Sequence, residues 1–216
     1  MFPPPFFMPR QAKFPNITGI VLGGGQSRRM GRDKRGLQWE GEPFLNRVCR
    51  LMNGLFEEIL VVMAQDDYDC SHLPVRLVTD KIPEKGSLGG LYTGLIEARN
   101  FLSFAVACDM PFLLKESIAR ICIGSTSDVT VVKLSNGLQP LHACYSKRCV
   151  PVIEQMIQEG DLKIQNLFSR SGLTMHIIEE SLFDDIDPFR LSFNNINTPA
   201  DLEFARKRAS QSSQEK

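Results

Sequence analysis

The chain has 216 residues, 43% of them hydrophobic and 23% charged, a composition that excludes a disordered polypeptide and fits an ordinary globular one. Lysine and arginine together number 25, as do aspartate and glutamate, so no global charge recruits nucleic acid or an anionic membrane, and any anion site must be local. At this length one core burying roughly 70% of the unfolded chain's surface is the default.

Residues 1–15 carry prolines that break a signal-peptide helix and charges placed after the apolar part, so they read as a flexible leader. A single domain is expected over 16–209, with a polar tail over 210–216. No stretch approaches the roughly 18 apolar residues of a membrane span. The cysteines at 49, 70, 108, 122, 144 and 149 form no CxxC pair and read as free thiols of a reducing cytoplasm.

In chain order, TGIVL (18–22) is a short apolar run that stops at glycines, as a buried strand does. Glu42-Pro43 reads as a helix start with proline at the first helical position, followed by the stripe Phe44, Val48, Leu51, Met52 and Leu55. EILVVM (58–63) and VRLVT (75–79) read as strands, the second ending at Asp80. The glycine-rich KGSLGG (85–90) then leads into a helix through LYTGLIEARN carrying Leu91, Leu95 and Ala98. FAVAC (104–108), DVTVVKL (128–134) and LHACYS (141–146) are later strands, with a helix between Pro151 and Gly160. Thr198, Pro199 and Asp201 supply an N-cap, an N1 proline and an acidic N3 residue for a terminal helix. This alternation predicts a three-layer α/β/α domain with a mainly parallel, Rossmann-like sheet.

In such sheets ligands bind beyond the carboxyl ends of the strands, and the 22–34 loop, Asp80 and Asp109 each follow a predicted strand. The loop, LGGGQSRRMGRDK, places glycines at 23, 24 and 25 so that backbone N–H groups can face a phosphate or a base edge. Arg28, Arg29, Arg32 and Lys34 then bring charge. The loop lacks the glycine-lysine pair of a Walker motif and has Arg28 where G-x-G-x-x-G ends in glycine, which disfavours a P-loop NTPase and a nicotinamide dehydrogenase. Asp109, held at a strand end by Met110-Pro111, offers the carboxylate a hard divalent cation prefers, with a turn aspartate before Pro111 as the structural alternative.

The loop resembles the L-x-G-G-x-S-x-R-M-G-x-D-K signature of the molybdenum cofactor guanylyltransferases, members of the wider nucleotidyltransferase group. The resemblance continues in family order through VTD (78–80), GSLGG (86–90), ACDMPFL (107–113), QPLHACYS (139–146) and NINTPADL (195–202). It implies a nucleotidyltransferase fold and transfer of GMP from GTP to the phosphate of molybdopterin, with release of pyrophosphate. Carried over by position, Leu22, Gly23 and Gly24 would line the guanine, Arg29 and Lys34 would face the phosphates, Asp80 would hold the nucleoside and Asp109 would bind Mg2+. His142, Asn195 and Asn197 are candidate substrate-binding residues, the two asparagines facing the pterin as the resemblance suggests; a hydrogen-bonded core or rim role is the alternative for His142, and strand-end hydrogen bonding for Asn195 and Asn197. Met63 stands where the family pattern often has asparagine, which puts one nucleoside contact in doubt. A CTP-dependent molybdopterin or sugar/polyol-phosphate nucleotidyltransferase, and a catalytically silent nucleotide-binding module, remain the rival readings. Expected partners are GTP and molybdopterin, with transient contacts to other cofactor-biosynthesis proteins or recipient molybdoenzymes, and neither nucleic acid nor membrane.

Overall fold

The computed structural model of the chain describes residues 13–23, 38–65 and 69–214. Its centre is β1 (Ile17–Leu22), buried along its whole length, with β4 (Glu58–Met63) and β6 (Leu102–Ala107) paired in parallel on either side. Continuous apolar runs form these strands because both sheet faces are covered: successive side chains point to opposite faces, so neither face can be polar. Val21 packs with Leu45, Val48 and Met52 of helix α1 (Phe44–Asn53) and with Ile118 and Ile121 of α3 (Lys115–Ile123). Its neighbours Ile20 and Leu22 pack on the other face with Leu88, Leu91 and Leu95 of α2 (Gly86–Glu97) and Ile153 and Met156 of α4 (Cys149–Gln158). Fully burying each such side chain contributes about 1.5–3 kcal/mol.

The remaining strands are β5 (Arg76–Thr79), β7 (Val129–Leu134), β8 (Gly137–Leu138), β9 (His142–Ser146) and β10 (Met175–Glu179). The sheet order is β10-β7-β9-β6-β1-β4-β5, with β8 paired to β7. Only β9, antiparallel to β6 and β7, and the short β8 run against the parallel direction among the described residues. The fold is therefore three-layered and mainly parallel, as the alternation predicts. The chain builds outward from β1 through β4 to β5, then returns to the other side of β1 as β6. That reversal leaves a crevice at the carboxyl ends of β1 and β6. Because His142 pairs with Val106, the start of β9 lies at this same edge.

Five local expectations change. Pro43 is not the first helical residue: it ends β3 (Glu42–Pro43), which pairs with β2 (Gln38–Trp39) across a tight turn with positive φ at Glu40 and Gly41, and α1 begins at Phe44. The segment GSLGG is the opening of α2 and not a loop before it. Helical glycine costs up to about 1 kcal/mol each, but here it permits close packing: a β-carbon on Gly94 would lie 2.7 Å from Ile20 Cγ2. The same helix stops at Glu97, where Ala98 turns extended. At the ends, Phe14 donates its N–H to Leu55 O at 2.7 Å and sets its ring 6.1 Å from that of Phe56, so the body reaches into the expected leader. Helix α5 (Pro199–Gln214) likewise crosses the expected boundary at 210, since Ser and Gln do not break a helix.

The N-terminus of α5 forms as expected. Thr198 Oγ1 accepts from Asp201 N at 3.0 Å and Asp201 Oδ2 accepts from Thr198 N at 2.8 Å, a reciprocal capping box. Among the described residues no helix is long and apolar enough to cross a membrane. Among the described residues none of the six cysteines forms a disulfide; Cys108 is half-buried and the others are buried.

Candidate active site

The carboxyl ends of β1, β4, β5 and β6 bring Leu22, Gly23, Met63, Asp80 and Asp109 to one edge. Their backbones are stitched together there. Gly23 N donates to Val62 O at 2.9 Å, Asp80 N to Met63 O at 2.7 Å and Cys108 N to Leu22 O at 3.1 Å. Gly24, Arg29 and Lys34, expected at this edge, lie outside the described residues.

Leu22 is buried against α2, with its Cδ2 3.2 Å from where a β-carbon on Gly90 would sit. Gly23 is more tightly constrained, because a β-carbon there would lie 2.1 Å from Met63 Sδ. The Met63 side chain is itself buried, so it fills the space beside the main chain where asparagine is common in the family pattern. The floor at this point is backbone and thioether.

Asp80 is half-buried. Its Oδ1 accepts from Thr93 Oγ1 at 2.7 Å and from Ile82 N at 3.1 Å, and Thr93 Oγ1 accepts in turn from Lys81 N at 3.1 Å. Thr93 is fully buried on α2 and was not a sequence candidate. It orients the carboxylate from a helix 13 residues away, and no local pattern signals such a contact.

Asp109, only 7% exposed, follows the central β6. Asn195 Nδ2 donates to its Oδ1 at 2.5 Å and Ile196 N to its main-chain oxygen at 2.8 Å. The turn that follows is held by Arg47 Nε, which donates to Pro111 O at 2.7 Å. One rigid carboxylate suits Mg2+, which is commonly held by one or two carboxylates and substrate phosphates and not by an all-protein cage. Among the described residues no three His, Cys, Asp or Glu side chains gather into such a cage.

A cleft of about 410 Å³ opens beside this carboxylate, with Ser87, Asn136, Gln139, Lys163, Gln165 and Asn195 among its polar walls. Asn195 belongs to both the cleft and the Asp109 contact. Asn197 sits apart: exposed at the entry to α5, it donates its N–H to Asp201 Oδ2 at 3.0 Å.

His142 is fully buried and is not among the residues that line this cleft. Its ring stacks on Phe193 at 4.5 Å and meets Phe104 edge-on at 5.3 Å. Nδ1 lies 3.0 Å from Ser192 O, which requires that nitrogen to carry the proton, and Nε2 is buried without a protein partner. Burial pushes the imidazole pKa down to about 3, so the ring is neutral at physiological pH. In this structure His142 is a core strut: its Nδ1 binds the segment that leads to Asn195.

A family model described as the MobA-like NTP transferase domain matches residues 19–174. The chain belongs to the MobA-like NTP transferase family. It is 34% identical over 193 residues to the molybdenum cofactor guanylyltransferase of Desulfosudis oleivorans, an alignment covering 88% of this chain and 94% of that one. Among solved structures it is similar to molybdopterin-guanine dinucleotide biosynthesis protein A from Archaeoglobus fulgidus, with a TM-score of 0.77 and 24% identity over 90% of this chain and 100% of that one. It also shares its fold with 2-C-methyl-D-erythritol 4-phosphate cytidylyltransferase from Thermus thermophilus, with a TM-score of 0.64 and 15% identity over 90% of this chain and 99% of that one. The MobA-like scaffold thus recurs in a protein named for a different base, so base choice must reside in local chemistry. As a MobA-like NTP transferase the chain is an enzyme, and nucleotidyl transfer of this kind ordinarily uses a divalent cation.

Proposed function

We propose that this chain transfers GMP from GTP to the phosphate of molybdopterin in the cytoplasm, forming molybdopterin guanine dinucleotide and releasing pyrophosphate. One observation carries the reading: Asn195 joins the wall of the cleft to the Asp109 carboxylate at the switch point of the sheet. A nucleotide lying over β1 and β6 and an acceptor in the cleft would meet beside Asp109. The relatives named for guanylyl transfer support the choice of substrates.

In this reading an oxygen of the acceptor phosphate attacks the α-phosphorus, the bond to the bridging oxygen of the β-phosphate breaks, and pyrophosphate carries away the electron pair. The acceptor oxygen is already anionic, so the protein's task is alignment and charge neutralisation. By the family resemblance the backbone at Leu22, Gly23 and Gly24 would face the base, Asp80 the nucleoside, and Arg29 and Lys34 the phosphates. Asp109 would hold Mg2+, which would supply charge compensation to the reacting phosphates. Lys163 gives the acceptor cleft a cation suited to a phosphate.

Pyrophosphate release on mixing the protein with GTP, Mg2+ and molybdopterin tests the proposal. Release that requires all three, with a guanylylated pterin product, is expected. Nucleotide binding without turnover would leave only a binding module, and GTP hydrolysis to GMP without a pterin product would remove the transferase assignment.

A further inference from the structure

The segment before Asn195 is fastened more heavily than a connecting loop requires. Asp187, buried at 4% exposure, accepts from Leu191 N and Ser192 N, both at 2.9 Å, and from Ser192 Oγ at 2.5 Å. Arg190 in between takes the left-handed conformation, with φ of 55°, and closes the turn through its N–H to Asp187 O at 2.9 Å. The next two carbonyls are then held from another part of the chain. Ser192 O accepts from His142 Nδ1 at 3.0 Å, and Phe193 O accepts from Gln139 Nε2 at 2.6 Å. The Phe193 ring is fixed between His142 at 4.5 Å and Phe183 at 5.0 Å. Two residues later Asn195 meets the carboxylate, and Ile196 N binds the carbonyl of the same aspartate.

Asn195 is thus bracketed. On one side two side chains, Gln139 just before β9 and His142 at its start, hold the backbone, and on the other its neighbour is bonded to Asp109 itself. A hydrogen-bond donor held this rigidly against a carboxylate fixes the rotation of that carboxylate and the lone pairs it presents, which is how outer partners tune a metal ligand. We propose that Gln139 and His142 are positioning residues that clamp residues 192–196 so that Asn195 sets the Asp109 carboxylate for a divalent cation. The proposal rests on the reading of Asp109 as the cation's ligand. It also makes Asn195 primarily a partner of the carboxylate, and gives the otherwise unused buried histidine a task.

The test measures Mn2+ binding directly, by electron paramagnetic resonance titration of the full chain with GTP present and no acceptor, so it does not depend on turnover. Gln139→Met keeps the side-chain length and removes the donor to Phe193 O, on a residue that lines the cleft and leaves the core intact. His142→Phe keeps the ring stack and removes the donor to Ser192 O, whereas His142→Asn keeps a donor near the Nδ1 position and removes the ring. Gln139→Met, His142→Phe and Asn195→Ala are each expected to weaken Mn2+ by about tenfold or more, the usual effect of losing an outer partner of a metal ligand. GTP affinity measured without metal should stay unchanged within error, and His142→Asn should recover part of the Mn2+ affinity lost in His142→Phe. Wild-type Mn2+ affinity in Gln139→Met and Asn195→Ala overturns the proposal, as does an equal loss of Mn2+ and of metal-free GTP binding, which would mean general loosening. Unaltered Mn2+ binding by Asp109→Asn overturns the ligand reading beneath it, and so separates that failure from failure of the clamp.

Discussion

Gly23 and Met63 compete for the same space: a β-carbon on the glycine would lie 2.1 Å from the thioether sulfur. The pair sits where β1 and β4 deliver their backbones to the proposed base site. Gly23→Ala alone should cost about 1–3 kcal/mol through overpacking, and Met63→Ala about 2–5 kcal/mol through the cavity it leaves. Combined, they should cost at least about 1 kcal/mol less than the sum, because the cavity accepts the new methyl. Additive losses in urea unfolding would show that Met63 does not press on Gly23.

Asp109→Asn keeps the volume and the contact surface while removing the negative charge. Metal-dependent turnover should fall on the order of 10²-fold or more, the scale of one preorganised charge at a reacting centre. The variant should keep a native near-ultraviolet spectrum. Near-normal turnover at saturating Mg2+ would remove Asp109 from the chemistry.

Thr93→Val leaves a side chain of the same shape but takes the hydroxyl from Asp80 Oδ1, 2.7 Å away. Stability should drop by about 0.5–1.5 kcal/mol, since the half-buried Asp80 and the Lys81 N–H each lose a hydrogen bond. If Asp80 also holds the nucleoside, the KM for GTP should rise while kcat changes little. A stability loss with unchanged KM would restrict Asp80 to a structural turn.

Burial of His142 predicts a specific acid weakness. Its folded pKa, about 3, lies below the ordinary value of 6.5, so between these values the unfolded chain binds a proton that the native chain refuses. Stability is unaffected by this group above about pH 6.5 and falls as pH drops from there toward 3, by up to about 1.4 kcal/mol per pH unit. Asp128, its carboxyl lowered chiefly by the Thr174 backbone N–H, adds a loss of the same sign at lower pH. The comparison must therefore be with His142→Asn, whose denaturation curves should show a shallower decline from pH 6.5 to 4.5. Parallel declines would place the acid sensitivity elsewhere.

The legible and illegible parts of the molecule divide along physical lines. Strands β1, β4 and β6 are legible because two covered faces leave little place for polar residues, Thr18 and Ser103 being the small exceptions, and Asp80 and Asp109 because each follows such a run directly. Strand β10 is missed because its pattern is mostly exposed: Ile177 is 45% exposed at the sheet edge, and nothing marks it off from a loop. The glycines of GSLGG mislead for the opposite reason, since local propensity reads them as a turn while the close approach of α2 to the sheet, with Gly90 against Leu22, suits them to the helix. Within the site, the contacts of Thr93, Gln139 and His142 are invisible beforehand, although a buried role is the sequence's own alternative for His142. Their partners lie 13, 54 and 50 residues away, and only the packed fold brings them together.

The central claim is guanylyl transfer, and the choice of base tests it most directly. Guanine presents a carbonyl at O6 and donors at N1 and N2, which main-chain groups around Leu22, Gly23 and Gly24 can read only where no side chain holds the base away. Cytosine offers another donor and acceptor order and would leave buried groups unpaired at about 1–3 kcal/mol each. With equimolar GTP and CTP, Mg2+ and molybdopterin in one reaction, the mass of the dinucleotide product should show at least about tenfold more guanylyl than cytidylyl transfer, equivalent to about 1.4 kcal/mol. A cytidylyl product in the majority would contradict the guanylyl assignment while leaving the nucleotidyltransferase intact.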